Sequence, residues 1–320
     1  MKTCEALKRA GVDVTLVVPT RRTGITTDPF TYYGIETQFP LIKLFTPDWV
    51  RLGRLGFSAS LVWFSEQARF VKHFWDKDTI LYSRDALVLL QYILLGRKFV
   101  YEAHAAPTWI SAFVARRACA VVVITESLRS AYVRVGVHWS KIFIAHDAVD
   151  QLKVIKTRAE LGLPEGLVVS YAGSRGPGKG VETVEFAAKD IPGTTLVVKD
   201  KTPTEARQIL AVSDVVVVPN SAQFLNWSTY SSPMKLFEAL QSGALVVASD
   251  VPAIREVVGD DAVWFFTPDD PKSLAETVQK ALNDPQRQGK VGRAQATART
   301  YTWDARAQVL RAAIQFALSR

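Results

Sequence analysis

Two stretches of this chain carry residue types at spacings that could do chemistry. The first is Gly173 to Gly180, GSRGPGKG, which lies between the apolar run LVVSYA and the helical VETVEFAAKD. Gly173 to Lys179 fits the G-x-x-x-x-G-K pattern of a nucleotide-triphosphate loop, but the next residue is Gly180 rather than the Ser or Thr that would hold magnesium. Val181 occupies the last glycine position of a dinucleotide fingerprint, so that reading fails too. What remains is a glycine-rich loop with two cations, Arg175 and Lys179, ahead of a helix. The second stretch is Ser231 to Val258, SSPMKLFEALQSGALVVASDVPAIREVV. Ser232 is a good N-cap and Pro233 a good first helical residue, which predicts a helix through Met234, Leu236 and Phe237 that ends at Gly243. An anion could bind at its tip. Glu238, about a turn and a half in on an otherwise apolar face, could accept hydrogen bonds from hydroxyl groups.

The elements that must position these residues alternate. TILYSRD, KFVYEAH, AVVVIT and KIFIAHDAVD read as strands separated by helices, as do LVVSYA, TTLVVKD, SDVVVVPN and ALVVASD further on. Strands alternating with helices imply parallel sheets covered on both faces. In open sheets of this kind ligands bind beyond the carboxyl ends of the strands, so Arg84, Asp85, Glu102, His104 and Glu126 point toward one crevice. Asn220 and Ser221 end a strand in the same way. Strand-like pieces are expected at Tyr32 to Ile35 and Leu41 to Phe45, and helices at Lys2 to Ala10, Thr204 to Leu210, Pro271 to Asn283 and Asp304 to Ser319. No strand precedes the first helix, so the first strand of the N-terminal domain is expected to be missing.

The 320 residues suit two domains: 1–150, 151–302, and a terminal helix 303–320. Residues 1–150 carry 19 Lys and Arg against 13 Asp and Glu, and the remainder 20 against 18. No run of Lys and Arg, aromatic-basic RNA motif, helix-turn-helix or zinc pattern accompanies the excess, which argues against nucleic acid. Cys4 and Cys119 are too few for a disulfide framework and lack metal-ligand spacing. No apolar run approaches a bilayer span and no cleavable leader opens the chain, so a cytoplasmic protein is expected. From Pro47 to Trp75, Trp49, Val50, Leu52, Leu55, Leu61, Val62, Phe64, Phe70, Val71, Phe74 and Trp75 interleave with Arg51, Arg54, Arg69 and Lys72. The favoured reading is a core-facing helix pair with a basic edge. Peripheral contact with an anionic membrane at the inner face is the alternative.

The Glu238 helix and the strand after it resemble the donor-binding signature of the retaining GT-B glycosyltransferases, glycosyltransferase family 4 (glycosyl transferases group 1). That resemblance implies two Rossmann-like doubly wound parallel-sheet domains facing across a cleft, and a metal-independent hexosyl transfer in polysaccharide biosynthesis. The donor would be a UDP- or GDP-sugar and the acceptor a hydroxyl of a glycan or lipid-linked molecule. It implies no cofactor beyond the nucleotide-sugar, which is the substrate. Glu238 would hold the ribose. Gly173, Ser174, Ser231, Ser232, Pro233, Met234 and Leu236 would line the donor site. Arg175 and Lys179 would neutralise the diphosphate as the leaving oxygen gains charge. His104 would lie near the transferred sugar. Tyr230 and Ser231 stand where the family has a sugar-reading Glu, and Lys199 and Asp200 replace paired glycines. These departures leave a non-catalytic sugar-nucleotide-binding or scaffold subunit as the second reading. A sugar-nucleotide epimerase is the third, with Glu102 and Glu126 as its acid/base pair.

Overall fold

A computed structural model describes residues 1–20, 26–150, 155–173, 175–198 and 201–320, without the side chains of Val50 and Arg51. Ser174, Lys199 and Asp200 lie outside the described residues. The chain divides into two compact units, Met1–His146 with Trp303–Arg320, and Asp147–Thr302.

The first unit runs α1 (Lys2–Arg9), β1 (Leu16–Pro19), α2 (Pro29–Tyr32), β2 (Leu41–Leu44), α3 (Gly53–Ala68), β3 (Leu81–Ser83), α4 (Ala86–Leu94), β4 (Phe99–Ala103), α5 (Trp109–Arg117), β5 (Ala120–Val123), α6 (Glu126–Arg134) and β6 (Ile142–Ile144). Its parallel strands form two sheets, β1-β2 and β3-β4-β5-β6. Residues 32–35 are not strand, because the Asp28 carboxylate accepts from Thr31 N at 3.0 Å and Pro29 opens a helical turn. The C-terminal helix belongs to this unit: its Leu310, Ala313 and Ile314 pack with Ala6 and Leu7 of α1 and with Val100, Ala120 and Val122 of the sheet.

The stretch after Pro47 is helical only as far as Ala68 and continues as turns from Arg69 to Trp75, so a single helix stands where a pair was expected, and its large side chains do not all face inward. A 3-10 turn (Trp49–Leu52) leads into α3, which buries Gly56, Ser60, Ser65 and Ala68. Leu52 and Leu55 remain 72% and 86% exposed, and Val62 and Trp63 are exposed beside them. Helix packing selects the smallest residues for close approach, and here that turns the apolar stripe outward.

The second unit runs β7 (Val168–Ala172), α7 (Val181–Ala187), β8 (Thr194–Val198), α8 (Pro203–Ala211), β9 (Val215–Val218), α9 (Met234–Ser242), β10 (Leu245–Ser249), α10 (Pro252–Arg255), β11 (Trp264–Phe266), α11 (Pro271–Asn283) and α12 (Arg287–Ala298), and α13 (Trp303–Leu318) then returns to the first unit. The sheet order is β11-β10-β9-β7-β8, and every described pairing is parallel. Both faces are covered: Leu236, Ala239 and Leu240 of α9 pack with Val216 and Val218, while Val181 and Val184 of α7 pack with Val215 and Val217. This two-sided burial is why β9 reads VVVV instead of alternating. Helix α12 was not expected. Gly289 and Gly292 weaken its propensity and only Ala294 and Ala298 are buried, so no apolar stripe marks it in the sequence.

Candidate functional site

In the second unit, β7 delivers Gly173 and the loop that follows to the start of α9. The loop is held by its glycines. Gly180 has φ +66°, and a Cβ there would sit 1.6 Å from the Pro219 carbonyl oxygen. At Gly178, with φ +79°, a Cβ would sit 2.0 Å from the Trp227 ring. Only a residue without a side chain fits either position. Ser221 N donates to Gly178 O at 3.1 Å, and Asn220 Nδ2 donates to Trp227 O at 3.2 Å. These two residues, just beyond the end of β9, therefore fasten the loops together.

Lys179 lies with its ammonium 3.5 Å from the Trp227 ring centroid, and burial pulls its pKa down. Arg175 is exposed and pairs with Glu185 of α7. The predicted N-cap is displaced by one residue. Ser232 Oγ accepts from Asp147 N at 3.0 Å instead of capping α9, and Pro233 takes the cap position without a side-chain bond. Ser231 donates to Trp227 O at 3.0 Å, and Tyr230 ends a π-helical turn, Asn226–Tyr230. Met234 is exposed and Leu236 fully buried, so Leu236 supports α9 from the core. Glu238 is half-buried; burial raises its pKa against the pull of Arg207, whose Nη1 is 3.8 Å away. Arg207 of α8 also approaches Asp150 at 3.7 Å.

Sequence reasoning missed Lys235. Its ammonium donates to the Tyr171 hydroxyl, lies 4.3 Å from the centroid of that ring, and occupies the space a Cβ on Gly173 would need. A lysine one turn before Glu238 was the signal available. The site thus brings together Gly173, Lys179, Lys235 and Glu238 around β7 and α9.

In the first unit the strand-end residues divide. Glu102, at the end of β4, is fully buried. It accepts from the Tyr82 hydroxyl, from His104 Nε2 at 2.5 Å and from Arg306 Nη2 of α13, with Arg84 Nε at 3.6 Å. Burial alone would raise its pKa, but the His104 bond and the charges of Arg306 and Arg84 prevail and hold it well below the usual carboxylate range. Arg306 also donates to the carbonyls of Ala145 and His146. With Glu102 ionised, His104 carries its proton on Nε2 and keeps a partly exposed ring. Glu102 therefore orients His104 and reaches no solvent, which removes it from direct contact with an acceptor. Asp85 caps α4, accepting from Leu87 N at 2.9 Å and Val88 N at 3.3 Å. Glu126 opens α6 and pairs with Arg129 at 3.4 Å. Among the described residues no group of three His, Cys, Asp or Glu side chains could hold a metal ion, and no helix is long and apolar enough to cross a membrane.

Comparison with known proteins bears on the same segment. Residues 147–284 match the family model of the glycosyl transferases group 1. No curated protein matches by sequence. Solved structures match over nearly the whole chain. Sucrose-phosphate synthase from Thermosynechococcus elongatus is 19% identical with a TM-score of 0.75, over 97% of this chain and 90% of that one. Anabaena HepE in complex with UDP is 15% identical with a TM-score of 0.71, over 98% and 95%. A glycosyltransferase from Rickettsia africae is 11% identical with a TM-score of 0.68, over 100% and 94%. The fold is therefore GT-B, built from two Rossmann-like units with parallel sheets.

Proposed function

We propose that the chain is a retaining, metal-independent family 4 glycosyltransferase that moves a hexosyl unit from a UDP- or GDP-sugar to a hydroxyl of a glycan or lipid-linked acceptor. The observation that carries this reading is the paired lysine site at the end of β7 beside the half-buried Glu238, inside the segment that matches the glycosyl transferases group 1 model. The similarity to HepE, solved with UDP and with UDP-glucose, favours a uridine donor.

In this account Lys179 neutralises the diphosphate, and Arg175 joins it by leaving Glu185. An exposed ion pair holds by at most about 1 kcal/mol, so that exchange is easy. Glu238 accepts from the ribose hydroxyls, and its raised pKa falls when they donate to it. The family resemblance assigns the transferred sugar to His104, whose ring Glu102 orients, and its hydroxyls to Tyr230 and Ser231. The acceptor proton passes to the departing diphosphate oxygen on the same face, and catalysis comes from positioning and charge stabilisation. Glu102 is committed to Arg306, His104 and Tyr82, which weighs against the epimerase reading. Incubating the protein with UDP-glucose and GDP-mannose tests the account by nucleotide release, with product configuration read by NMR. Nucleotide binding without any turnover would favour the non-catalytic subunit.

Contact with an anionic membrane belongs to the same proposal. The outward stripe of α3 and the turn before it, with Leu52, Leu55, Val62 and Trp63, is bordered by the exposed Arg54 and followed by Lys72. Apolar insertion combined with phosphate attraction suits a lipid-linked acceptor.

A further inference from the structure

We propose that Lys235 forms with Lys179 a two-lysine phosphate subsite beside Gly173, and that it takes up a proton when a nucleoside diphosphate enters; this rests on the nucleotide-sugar reading above. The geometry begins with an absence of side chain. A Cβ at position 173 would lie 2.1 Å from Lys235 Nζ and 2.3 Å from its Cε, so the glycine is what admits the ammonium. Once there, the ammonium meets the Tyr171 hydroxyl and ring face, and Lys179 meets the Trp227 ring. Aromatic faces and a hydroxyl partly replace water for a cation, but they supply no counter-charge. Among the described residues neither lysine has a carboxylate within 4 Å. The charge of Lys179 acts against that of Lys235, and Glu238, itself shared with Arg207, offsets it only in part, so the two ammonium groups together favour an anion.

The charged groups around Lys235 set the response. Lys179 comes from the loop before α7. Glu238 stands one turn along α9 and is shared with Arg207 of α8, which also faces Asp150. Tyr171 is the neighbour on β7, and Glu182 of α7 acts on that phenol. Burial, then the charge of Lys179, bring the Lys235 pKa down to about 7 against the opposing pull of Glu238. In the free protein near neutral pH the lysine is therefore not fully charged. A diphosphate favours the ammonium form and raises that pKa, so binding draws in a proton at any pH between the free and bound values. Uptake vanishes below about pH 6, where the lysine is already charged. It is greatest near pH 8, where the terminal phosphate of UDP is itself fully ionised.

The test is calorimetric titration of the full chain with UDP at about pH 8 in Tris and in HEPES, whose ionisation enthalpies differ. The native protein should show a buffer-dependent heat corresponding to uptake of about half a proton or more. Lys235→Met and Lys235→Gln should bind UDP about tenfold or more weakly, the loss of one charge-assisted contact, with the buffer dependence gone. Their affinity for uridine, which has no phosphate, should match that of the native protein. Lys235→Gln keeps a polar partner for Tyr171, and the native measurement needs no variant at all. UDP binding with no buffer dependence, and unchanged in both variants, would overturn the subsite while leaving the nucleotide reading intact. Failure of the native protein to bind either UDP or GDP would overturn both.

Discussion

Removing the Glu102 carboxylate is the perturbation whose cost the structure defines best. Glu102 is fully buried and Arg306 is 3% exposed, so neither charge has water to fall back on. In Glu102→Ala the guanidinium would lose its carboxylate while its bonds to the carbonyls of Ala145 and His146 remain, and Tyr82 would lose its acceptor. Breaking a buried pair by deleting one partner costs about 3–5 kcal/mol. For a unit of this size that lowers the melting temperature by roughly 10 °C. Glu102→Gln keeps the volume and one acceptor oxygen and should cost about 2 kcal/mol. The sign with pH follows from the depressed carboxyl. Its stabilisation is complete above the ordinary value of 4.5 and is lost as pH falls through the lower folded value. The gap between native protein and Glu102→Gln in urea melts should thus be constant from about pH 5 to 8 and narrow progressively as the pH falls below about 4. A Glu102→Ala protein as stable as the native one, or a gap that widens in acid, would refute the claim that this carboxylate ties α13 and His104 to the sheet.

Three further outcomes are expected. Lys179→Ala should lower the rate of donor turnover about a hundredfold, the scale of losing one preorganised electrostatic donor, and near-normal turnover would remove Lys179 from the chemistry. Gly180→Ala, whose Cβ would meet Pro219 backbone, should destabilise by about 2 kcal/mol or more, whereas Gly162→Ala, also at positive φ but with nothing within 4 Å, should cost only about 1 kcal/mol; equal losses in chemical denaturation would deny the close approach. The protein should co-sediment with anionic liposomes at low salt and release at high salt, less so as Leu55→Ser, and no binding at low salt would dispose of the membrane contact.

What the sequence made legible follows from where its signals are strong. The Val-rich strands, the Pro271 start of α11 and the Gly243 stop of α9 each rest on one local rule that packing does not override. The glycine-rich loop was legible for the same reason, since Gly178 and Gly180 are needed where backbone or an indole comes too close for a Cβ. Long-range partners were not. Ser232 looks like a cap until Asp147 claims its hydroxyl, Glu102 looks like a free strand-end acid until Arg306 arrives from 204 residues away, and Asp85 turns out to spend its carboxylate on α4. Lys235 was passed over because a lysine on an amphipathic helix is usually solvated; only the space above Gly173 marks it. The stripe on α3 misled because its periodicity shows a face and not which side of the helix is buried.

Titration calorimetry of the native chain and of Glu238→Ala with UDP and with GDP tests the central claim most directly. One nucleotide should bind the native protein at one site, and Glu238→Ala should weaken it about tenfold or more, the loss of hydrogen bonds to a charged acceptor. Absence of binding by both nucleotides, or equal binding by native and variant, would contradict it.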